Sequence, residues 1–326
     1  MADRGFTTEP ILKHTHDRRG LLVLADVTLG WAIFAVVAGL SGDTLPRWKL
    51  EPRSPPMPTP EESGIAPVNG ISMYYAIYGH GTPVLLIHGG LSNSDVWAPA
   101  ISLLAEKHEV IVADSRGQGR STQTKERLTY SLMANDYLAL LDYLRLSSVA
   151  VVGWSDGAII GIDLAIHHPD RLTALFAQAA NASPDGLVAP PRSDQHEPSL
   201  RLYSVLKELK GQVVSVVENV KTRASGLLGQ PSTTHSSSLA LQKEIHELWA
   251  TEPHYSHDQL TSISVRTAIV IGDHDDVIRL GHTEYLARTI PGAQLIILHG
   301  VGHAAVLQDP TGYAHTVLDF VTQRTD

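Results

Sequence analysis

Ser155 lies in a pattern that is typical of nucleophilic serines. The segment Gly153-Trp154-Ser155-Asp156-Gly157 has the form G-x-S-x-G and follows a short apolar run, 149–152. Such a run predicts a buried strand, and a helical pattern begins after Gly157. In this arrangement the serine occupies a strained turn that exposes its hydroxyl group at the end of the strand. The two glycines leave room for neighbouring backbone, where a Cβ atom would clash.

A serine hydroxyl group also needs a general base, and that base needs a group to orient it. Two later loops carry such groups, each directly after a predicted strand: Ile271-Gly272-Asp273-His274-Asp275, and Gly300-Val301-Gly302-His303. Because the carboxyl ends of parallel strands share one edge of a sheet, we expect both loops beside Ser155.

Strands and helices alternate along most of the chain. An Asn69-Gly70 hairpin comes first, and the buried strand 84–87 ends at His88-Gly89-Gly90. Further strands are predicted over 110–113, 172–180, 267–271 and 295–298, and helices over 95–107, 132–146 and 313–323. This alternation predicts an α/β fold with a mainly parallel sheet that is covered by helices on both faces.

The alternation is interrupted between about 181 and 265. The intervening residues carry helical patterns near 200–220 and 239–249. An insertion at this point lies over the carboxyl ends of the strands, where open α/β sheets bind ligands. We therefore predict a helical cap over 182–264, inserted after the strand at about 172–180, and a core formed by 64–181 and 265–326.

The N-terminal part has a different composition. Residues 1–42 contain Arg18-Arg19 before a mostly apolar run, 21–40, which resembles a twin-arginine export signal. This predicts a periplasmic or secreted protein. The alternatives are membrane attachment through 21–40 and an N-terminal helix of a cytoplasmic protein. Seven prolines within 46–67 predict an extended tether over 43–63, and the competing interpretation is an irregular arm lying on the domain.

Composition excludes several kinds of site. The net charge of −9 and the absence of a Lys- or Arg-rich block argue against nucleic acid as a partner. With no cysteine, disulfides, thiolate zinc sites and cysteine nucleophiles are excluded. The histidines of 182–264 lack ligand spacing and no glycine cluster forms a nucleotide-binding loop, so we predict neither a metal site nor a cofactor.

From about residue 64 to the C-terminus, the chain resembles the α/β-hydrolase superfamily. The matching motifs are His88-Gly89-Gly90, the turn 114–121, Gly153–Gly157, Gly272-x-x-Asp275 and Gly302-His303. The resemblance implies the α/β-hydrolase fold and a triad in the order Ser155 (nucleophile), Asp275 (acid) and His303 (base). The alternatives are Asp273 and Asp276 for the acid, and His299 and His88 for the base.

The resemblance also implies how a tetrahedral intermediate would be bound. An oxyanion needs preorganised N–H donors, and the family pattern assigns them to the backbone amides of Gly90 and Asp156, with Leu91 as an alternative one position later. Asp114 and Arg116 are expected to have structural roles, since such turns usually hold the sheet together by local hydrogen bonds.

The segment Gly153–Gly157, called the nucleophile elbow below, is together with Ala179–Ala182 also similar to the valacyclovir-hydrolase-like esterases. That resemblance implies that the Asp156 carboxylate meets the ammonium group of an amino-acid ester, and such a carboxylate would favour cationic substrates. The competing interpretation is that Asp156 caps the helix that begins there. Trp154, Asp156 and Leu91 are the candidate substrate-binding residues.

These features together predict a serine hydrolase that cleaves a carboxylic ester or lactone of a small molecule through an acyl-enzyme intermediate. A cofactor-free perhydrolase or a C–C bond hydrolase would use the same triad. A non-catalytic binding protein on the same scaffold is the third alternative, and the presence of nucleophile, acid and base together argues against it.

Overall fold

Eight strands form one sheet in a computed structural model of the protein, which describes residues 45–50, 52–188 and 239–323. The strands are β1 (Glu62–Val68), β2 (Ile71–Tyr78), β3 (Thr82–Ile87), β4 (His108–Ala113), β5 (Val149–Trp154), β6 (Leu172–Gln178), β7 (Thr267–Gly272) and β8 (Gln294–Leu298). Their order across the sheet is β1-β2-β4-β3-β5-β6-β7-β8. β1 and β2 form the predicted hairpin around Asn69-Gly70, β2 is antiparallel to β4, and the remaining neighbours are parallel. The predicted α/β fold with a mainly parallel sheet is confirmed.

Helices cover both faces of this sheet. They are α1 (Ala98–Ala105), α2 (Tyr130–Tyr143), α3 (Asp156–His167), α4 (Leu239–Thr251), α5 (His257–Thr261), α6 (Leu280–Thr289), α7 (Ala305–Gln308) and α8 (Pro310–Val321). Successive residues of β5 belong to opposite core clusters, because side chains alternate along a strand. Val149 and Val151 pack in the cluster that contains α2 and α3, whereas Ala150 and Val152 pack in the cluster that contains α1 and α8.

Several boundaries differ from the predicted ones. The predicted helix 95–107 is a short 3₁₀ helix, Ser94–Trp97, followed by α1. Pro99 lies in the first turn of α1, where its missing N–H group costs no hydrogen bond. In place of the predicted helix 132–146, the structure has α2, which begins and ends earlier in the chain. Thr129 caps its first turn, and Arg145, just after its end, adopts a positive φ of 59°.

The last elements shift for similar reasons. β6 ends at Gln178 and not at 180, because Ala179 has a positive φ of 59°. α8 begins at Pro310 and not at 313, because the Asp309 side chain accepts a hydrogen bond from the Gly312 amide and caps the helix. A sequence pattern based on apolar spacing does not detect such caps.

The insertion is described over residues 182–188 and 239–264. Its helix α4 buries Leu241, Ile245 and Leu248, which share one helical face, against the core cluster of α2 and α3. The predicted helix near 200–220 and the predicted signal or anchor at 1–42 lie outside the described residues.

The chain divides into two units, 1–46 and 47–326, and every described strand and helix belongs to the second. Within the described residues, no helix combines the length and the apolar character that a membrane span requires.

Candidate active site

Ser155 occupies the sharp turn between β5 and α3. Its backbone φ is 55° and its ψ is −120°, a combination that L-residues rarely adopt and that marks strain. A Cβ atom on Gly153 would overlap the backbone of Gly157, and a Cβ atom on Gly157 would overlap the carbonyl group of Ile87. The two glycines therefore let β3, β5 and α3 approach each other closely at the carboxyl end of the sheet, where Ser155 lines a cavity.

Asp275, His303 and Ser155 form a continuous chain of hydrogen bonds. His303 Nε2 lies 3.1 Å from Ser155 Oγ, and His303 Nδ1 lies 3.0 and 3.1 Å from the two carboxylate oxygens of Asp275. The tautomer that satisfies both neighbours has Nδ1 donating to Asp275 and Nε2 accepting from the serine hydroxyl group. The structure thus brings the three predicted residues together from loops that follow β5, β7 and β8.

The carboxylate of Asp275 is held by its own loop. Its side chain is 1% exposed, and its Oδ1 accepts hydrogen bonds from the amides of Val277 and Ile278 at 2.9 Å each. Asp273, an alternative acid, instead lies 3.1 Å from Nδ1 of the exposed His299, an alternative base. These two alternatives form a separate pair at the surface.

His88, the other alternative base, is buried beside the loop that follows β3. Its Nε2 accepts a hydrogen bond from the Ser115 amide at 2.9 Å, so Nδ1 carries the proton and donates to the carbonyl oxygen of Gly89 at 2.7 Å. Burial lowers the pKa of His88. His88 therefore supports this loop as a neutral side chain. Asp276, the remaining alternative acid, is exposed.

The main chain of His303 is fixed from two sides. Trp154 Nε1 donates to the carbonyl oxygen of His303 at 2.8 Å, and Gln178 Nε2 donates to the same oxygen at 3.1 Å. Trp154, a candidate for substrate binding, also lines the cavity. Sequence reasoning missed Gln178; the available signal was a polar residue near the end of a buried strand.

Gly90 and Asp156, the predicted oxyanion donors, both line the cavity beside Ser155. The amide of Asp156 is the first of α3, so it has no acceptor within the helix and lies at the positive end of the helix dipole. A Cβ atom on Gly90 would overlap the Asp156 carboxylate and lie 2.8 Å from Cζ2 of Trp249. Leu91, with a φ of 56°, packs against the core cluster and is not among the described residues that line the cavity.

The Asp156 carboxylate binds side chains from two other helices. It accepts hydrogen bonds from the Tyr130 hydroxyl group of α2 at 3.1 Å and from Trp249 Nε1 of α4 at 2.9 Å. Burial raises the pKa of Asp156 to about 6, and the hydrogen bonds from Trp249 and Tyr130 and the nearby His303 oppose that rise. Both of these donors are side chains of other helices, and among the described residues no backbone amide of α3 donates to the Asp156 carboxylate. No sequence pattern pointed to Trp249 or Tyr130 as its partners.

The cavity has a volume of about 260 Å³ and is mostly apolar. Its apolar lining residues are Trp154, Leu187, Trp249, Val277 and Ile278, and its polar ones, apart from Ser155, His303 and Asp156, are Tyr130, Asn181 and Glu252. Among the described lining residues there is no lysine or arginine.

The turn after β4 has the contacts expected of a structural element. Asp114 accepts hydrogen bonds from the Ser94 amide at 2.8 Å and from Arg120 Nε at 2.7 Å. Burial alone would raise the pKa of Asp114, but the hydrogen bonds and charge of Arg120 hold it below its ordinary value. Arg116 forms a buried bidentate pair with Asp136 at 2.7 and 2.8 Å.

Across the described ranges, no group of three or more His, Asp or Glu side chains is arranged to hold a metal ion. Two histidines of the insertion, His196 and His235, lie outside these ranges.

Known proteins match this chain in both sequence and structure. A family model described as "alpha/beta hydrolase fold" matches residues 82–239, which include the elbow. The chain belongs to the α/β-hydrolase superfamily. Among relatives of this α/β hydrolase, a protein named putative carbamate hydrolase RutD from Pseudomonas savastanoi pv. phaseolicola is 27% identical over 264 residues, which cover 74% of this chain and 95% of the relative.

Solved structures of other α/β hydrolases have the same fold. The enol-lactonase from Burkholderia xenovorans LB400 superposes with a TM-score of 0.61 at 21% identity, covering 79% of this chain and 100% of the other. Est816, described as an N-acyl homoserine lactone degrading enzyme, superposes with a TM-score of 0.60 at 25% identity, covering 81% and 100%.

Proposed function

We propose that this α/β hydrolase cleaves a carboxylic ester or lactone of a small molecule through an acyl-enzyme on Ser155. The observation that carries the proposal is the hydrogen-bonded chain from Asp275 through His303 to Ser155 at the wall of a cavity. Such a chain can activate a serine hydroxyl group that is otherwise a weak nucleophile.

In the proposed mechanism His303 takes the proton of Ser155 while Oγ attacks the substrate carbonyl carbon. Asp275 holds the imidazole in the required tautomer and stabilises the imidazolium that forms. The amides of Gly90 and Asp156 bind the oxyanion of the tetrahedral intermediate. His303 then protonates the leaving alkoxide, and a water molecule activated by His303 hydrolyses the acyl-enzyme by the same steps in reverse.

The cavity supports a small and largely apolar substrate. A volume of about 260 Å³ is near the lower end of the range for small-molecule sites, and its aromatic and aliphatic lining suits a short acyl chain or a lactone ring. The names of the similar proteins, which include a lactonase and a putative carbamate hydrolase, are consistent with attack on an activated carbonyl group.

A second candidate is an ester with a cationic group, as the resemblance of the elbow implies. The observation that favours it is the pair of acidic residues, Asp156 and Glu252, among the described lining residues, which include no lysine or arginine. A cationic substrate would compensate the charge of these residues. However, the Asp156 carboxylate already accepts hydrogen bonds from Trp249 and Tyr130, so an ammonium group would have to displace a donor or share an oxygen with it.

Replacement of the nucleophile tests the proposal directly. We expect Ser155→Ala to lower kcat for p-nitrophenyl acetate by about 10⁴-fold or more, as loss of a triad nucleophile does in serine hydrolases. Ser147→Ala, which changes an exposed serine, is the matched control and is expected to retain full activity. Hydrolysis that survives in Ser155→Ala would contradict the proposed mechanism.

The substrate class can be tested with a panel of short acyl esters, lactones, aryl carbamates and aminoacyl esters. Asp156→Asn removes the charge and keeps an acceptor oxygen, so the two candidates predict different results. A loss confined to aminoacyl esters would support the cationic substrate, whereas an equal effect on neutral and cationic esters would contradict it.

We also propose export through residues 1–42, on the basis of Arg18-Arg19 and the apolar run that follows. N-terminal sequencing of the protein isolated from its native host tests this. A mature chain that begins near Gly39 would support cleavage, whereas a chain that retains its first residues would contradict it.

A further inference from the structure

Helix α4 of the insertion reaches the nucleophile elbow through one indole ring. Trp249 Nε1 lies 2.9 Å from Oδ1 and 3.1 Å from Oδ2 of Asp156, the residue after the proposed nucleophile. The Tyr130 hydroxyl group of α2 donates to the same carboxylate at 3.1 Å. Asp156 is 4% exposed. These three residues, called the Asp156 cluster below, therefore join the insertion, the elbow and α2 in a nearly dry environment, where hydrogen bonds to a charge are strong.

The Asp156 cluster also packs against the loop after β3, which contains Gly90, one of the two proposed oxyanion donors. The space that a Cβ atom of Gly90 would occupy is filled by Oδ2 of Asp156 and by Cζ2 of Trp249, the latter at 2.8 Å from the Cβ position. The backbone of Gly90 thus lies directly against the carboxylate and the indole ring. Displacement of Trp249 would remove the group that packs on this backbone, and the loop could then move relative to Ser155.

Other contacts between α4 and the loop before α2 are nearer the surface. Glu244 Oε1 accepts from the Leu128 amide at 3.1 Å, and Arg127 donates to Thr251 Oγ1 at 3.0 Å. The Arg127–Thr251 contact is exposed and contributes little to a fixed geometry, because water competes for the same groups. The Glu244–Leu128 contact is partly buried, but neither residue is among those that line the cavity. The hydrogen bond from Trp249 to Asp156 is the contact that connects α4 to the reacting groups.

We infer that Trp249 and Tyr130 are positioning residues, which act through the Asp156 carboxylate to hold the backbone of Gly90 and Asp156 in the geometry that binds the oxyanion. The inference rests on the proposed function, because it assigns these residues to the same acyl-transfer site. The oxyanion forms only on the way to products, so a loosened oxyanion hole weakens transition-state binding more than ground-state binding. The loss should appear in kcat more than in KM.

The chain contains matched controls for this test. Trp249→Phe and Tyr130→Phe remove one polar group each and keep most of the ring. Trp97→Phe and Tyr313→Phe make the same changes at buried side chains whose Nε1 and hydroxyl groups have no hydrogen-bond partner among the described residues. All four changes alter a buried aromatic residue, but only the first two remove a donor to Asp156.

The kinetic experiment compares the full-length chain and these variants with p-nitrophenyl acetate. We expect Trp249→Phe and Tyr130→Phe to lower kcat by about 10-fold with KM changed less than about twofold, a smaller loss than the roughly 100-fold effect of deleting an oxyanion donor. Trp97→Phe and Tyr313→Phe should keep kcat. If Trp249→Phe and Tyr130→Phe behave like these controls, the inference is wrong.

A double-mutant cycle tests whether Trp249 acts through Asp156. Asp156→Ala removes the acceptor, so Trp249→Phe should add little to the loss of kcat in an Asp156→Ala background. If the fold decreases in kcat of the two single variants multiply in the double variant, Trp249 and Asp156 act independently and the inference is wrong.

A readout without catalysis separates this inference from the proposed function. Hydrogen exchange of the α4 amides, 239–251, is expected to increase several-fold in Asp156→Ala and Trp249→Phe, and to stay unchanged in Trp97→Phe. Unchanged exchange in Asp156→Ala would refute the docking of α4 through Asp156, whatever the enzyme hydrolyses. By contrast, activity that survives Ser155→Ala would refute the proposed function, but it would not change the conclusion drawn from hydrogen exchange about the docking of α4.

Discussion

Asp156 places an ionisable carboxyl group in a nearly dry part of the site. Burial raises its pKa to about 6 from the ordinary value of 3.8, against the opposing effect of hydrogen bonds from Trp249 and Tyr130. Between these two values the folded protein binds more protons than the unfolded chain, so the free energy of unfolding falls as the pH rises through this window. The ionised carboxylate is therefore a cost to stability at neutral pH, as is common for groups retained at functional sites.

Asp156→Asn is expected to remove this cost. The amide oxygen can still accept from Trp249 or Tyr130, and the variant carries no charge. We expect a free energy of unfolding that equals the wild-type value near pH 4 and exceeds it at pH 8 by about 2–3 kcal/mol at most, from about 1.4 kcal/mol per unit of pKa shift. Urea unfolding at both pH values measures the difference. Asp319→Asn, at an exposed position, is the control, and an equal effect of both variants would contradict the prediction.

Gly90 is the second residue whose identity the packing explains. A methyl group at this position would overlap the Asp156 carboxylate and press on Trp249, so either the loop or α4 must move. We expect Gly90→Ala to lower kcat by about 100-fold, the size of effect that a misplacement of about 1 Å can cause. Gly281→Ala is the control, because a Cβ atom there meets nothing within 4 Å; a similar loss in both variants would argue against a specific role of Gly90.

At the scale of elements, the loops that carry Asp275 and His303 lie against a short N-terminal segment, Arg47–Leu50. The Trp48 ring stacks on the imidazole of His274 with centroids 3.8 Å apart. Gln308 of α7 accepts from the Gly302 amide at 2.6 Å and donates to the carbonyl oxygens of Trp48 and Leu50 at 3.3 and 3.1 Å. The segment thus contacts His274, directly before Asp275, and is joined through Gln308 to Gly302, directly before His303.

Removal of these contacts should loosen the two loops. We expect Trp48→Ala and Gln308→Leu each to lower kcat several-fold, since the hydrogen bonds of His303 to Asp275 and Ser155 depend on both loops holding their positions. Lys49→Ala, an exposed change within the same segment, should leave kcat unchanged. Steady-state kinetics with p-nitrophenyl acetate measures kcat for the three variants. An unchanged kcat in both Trp48→Ala and Gln308→Leu would show that the segment does not position the triad.

At the scale of the whole molecule, buried histidines make the domain sensitive to acid. His88, which is 1% exposed, joins the loops after β3 and β4 through Gly89 and Ser115. Burial lowers its pKa below the ordinary value of 6.5, so the unfolded chain binds a proton more readily than the folded protein. The contribution of neutral His88 to stability is present above pH 6.5 and is lost as the pH falls below it.

We therefore expect the free energy of unfolding to fall with acidification below pH 6.5, because the unfolded chain then takes up a proton at His88 that the folded protein does not. His88→Gln keeps an acceptor for the Ser115 amide and cannot take up a proton, so its stability should decrease less between pH 6.5 and 5. His315→Gln, at an exposed position, should follow the wild-type curve. If the free energy of unfolding of His88→Gln falls with pH in parallel with that of the wild type, the acid sensitivity does not come from His88.

Features that depend on neighbouring residues could be predicted from the sequence. The strand, turn and helix around Ser155 follow from an apolar run and two glycines, and the Asn69-Gly70 hairpin follows from two residues that accept positive φ, here 43° and 77°. The order of strands also placed the acid and histidine loops at the edge that holds Ser155. The predicted ends of elements were less accurate where a capping residue such as Thr129, or a residue with a positive φ such as Arg145, fixes the end of a helix.

Contacts between side chains that are distant in the chain could only be decided by the tertiary structure. Asp273 and Asp275 have the same chemistry and lie two positions apart, and only the packing of the loops puts one beside His303 and the other beside His299. Asp156 and Trp249 are separated by 93 positions, and no local pattern relates them. The amino-acid sequence by itself therefore determined the fold, the candidate nucleophile and the candidate partners of Ser155, because local backbone preferences and strand order encode them. The tertiary structure decided what binds the Asp156 carboxylate, because burial and side-chain contacts arise only when α2, α3 and α4 pack together.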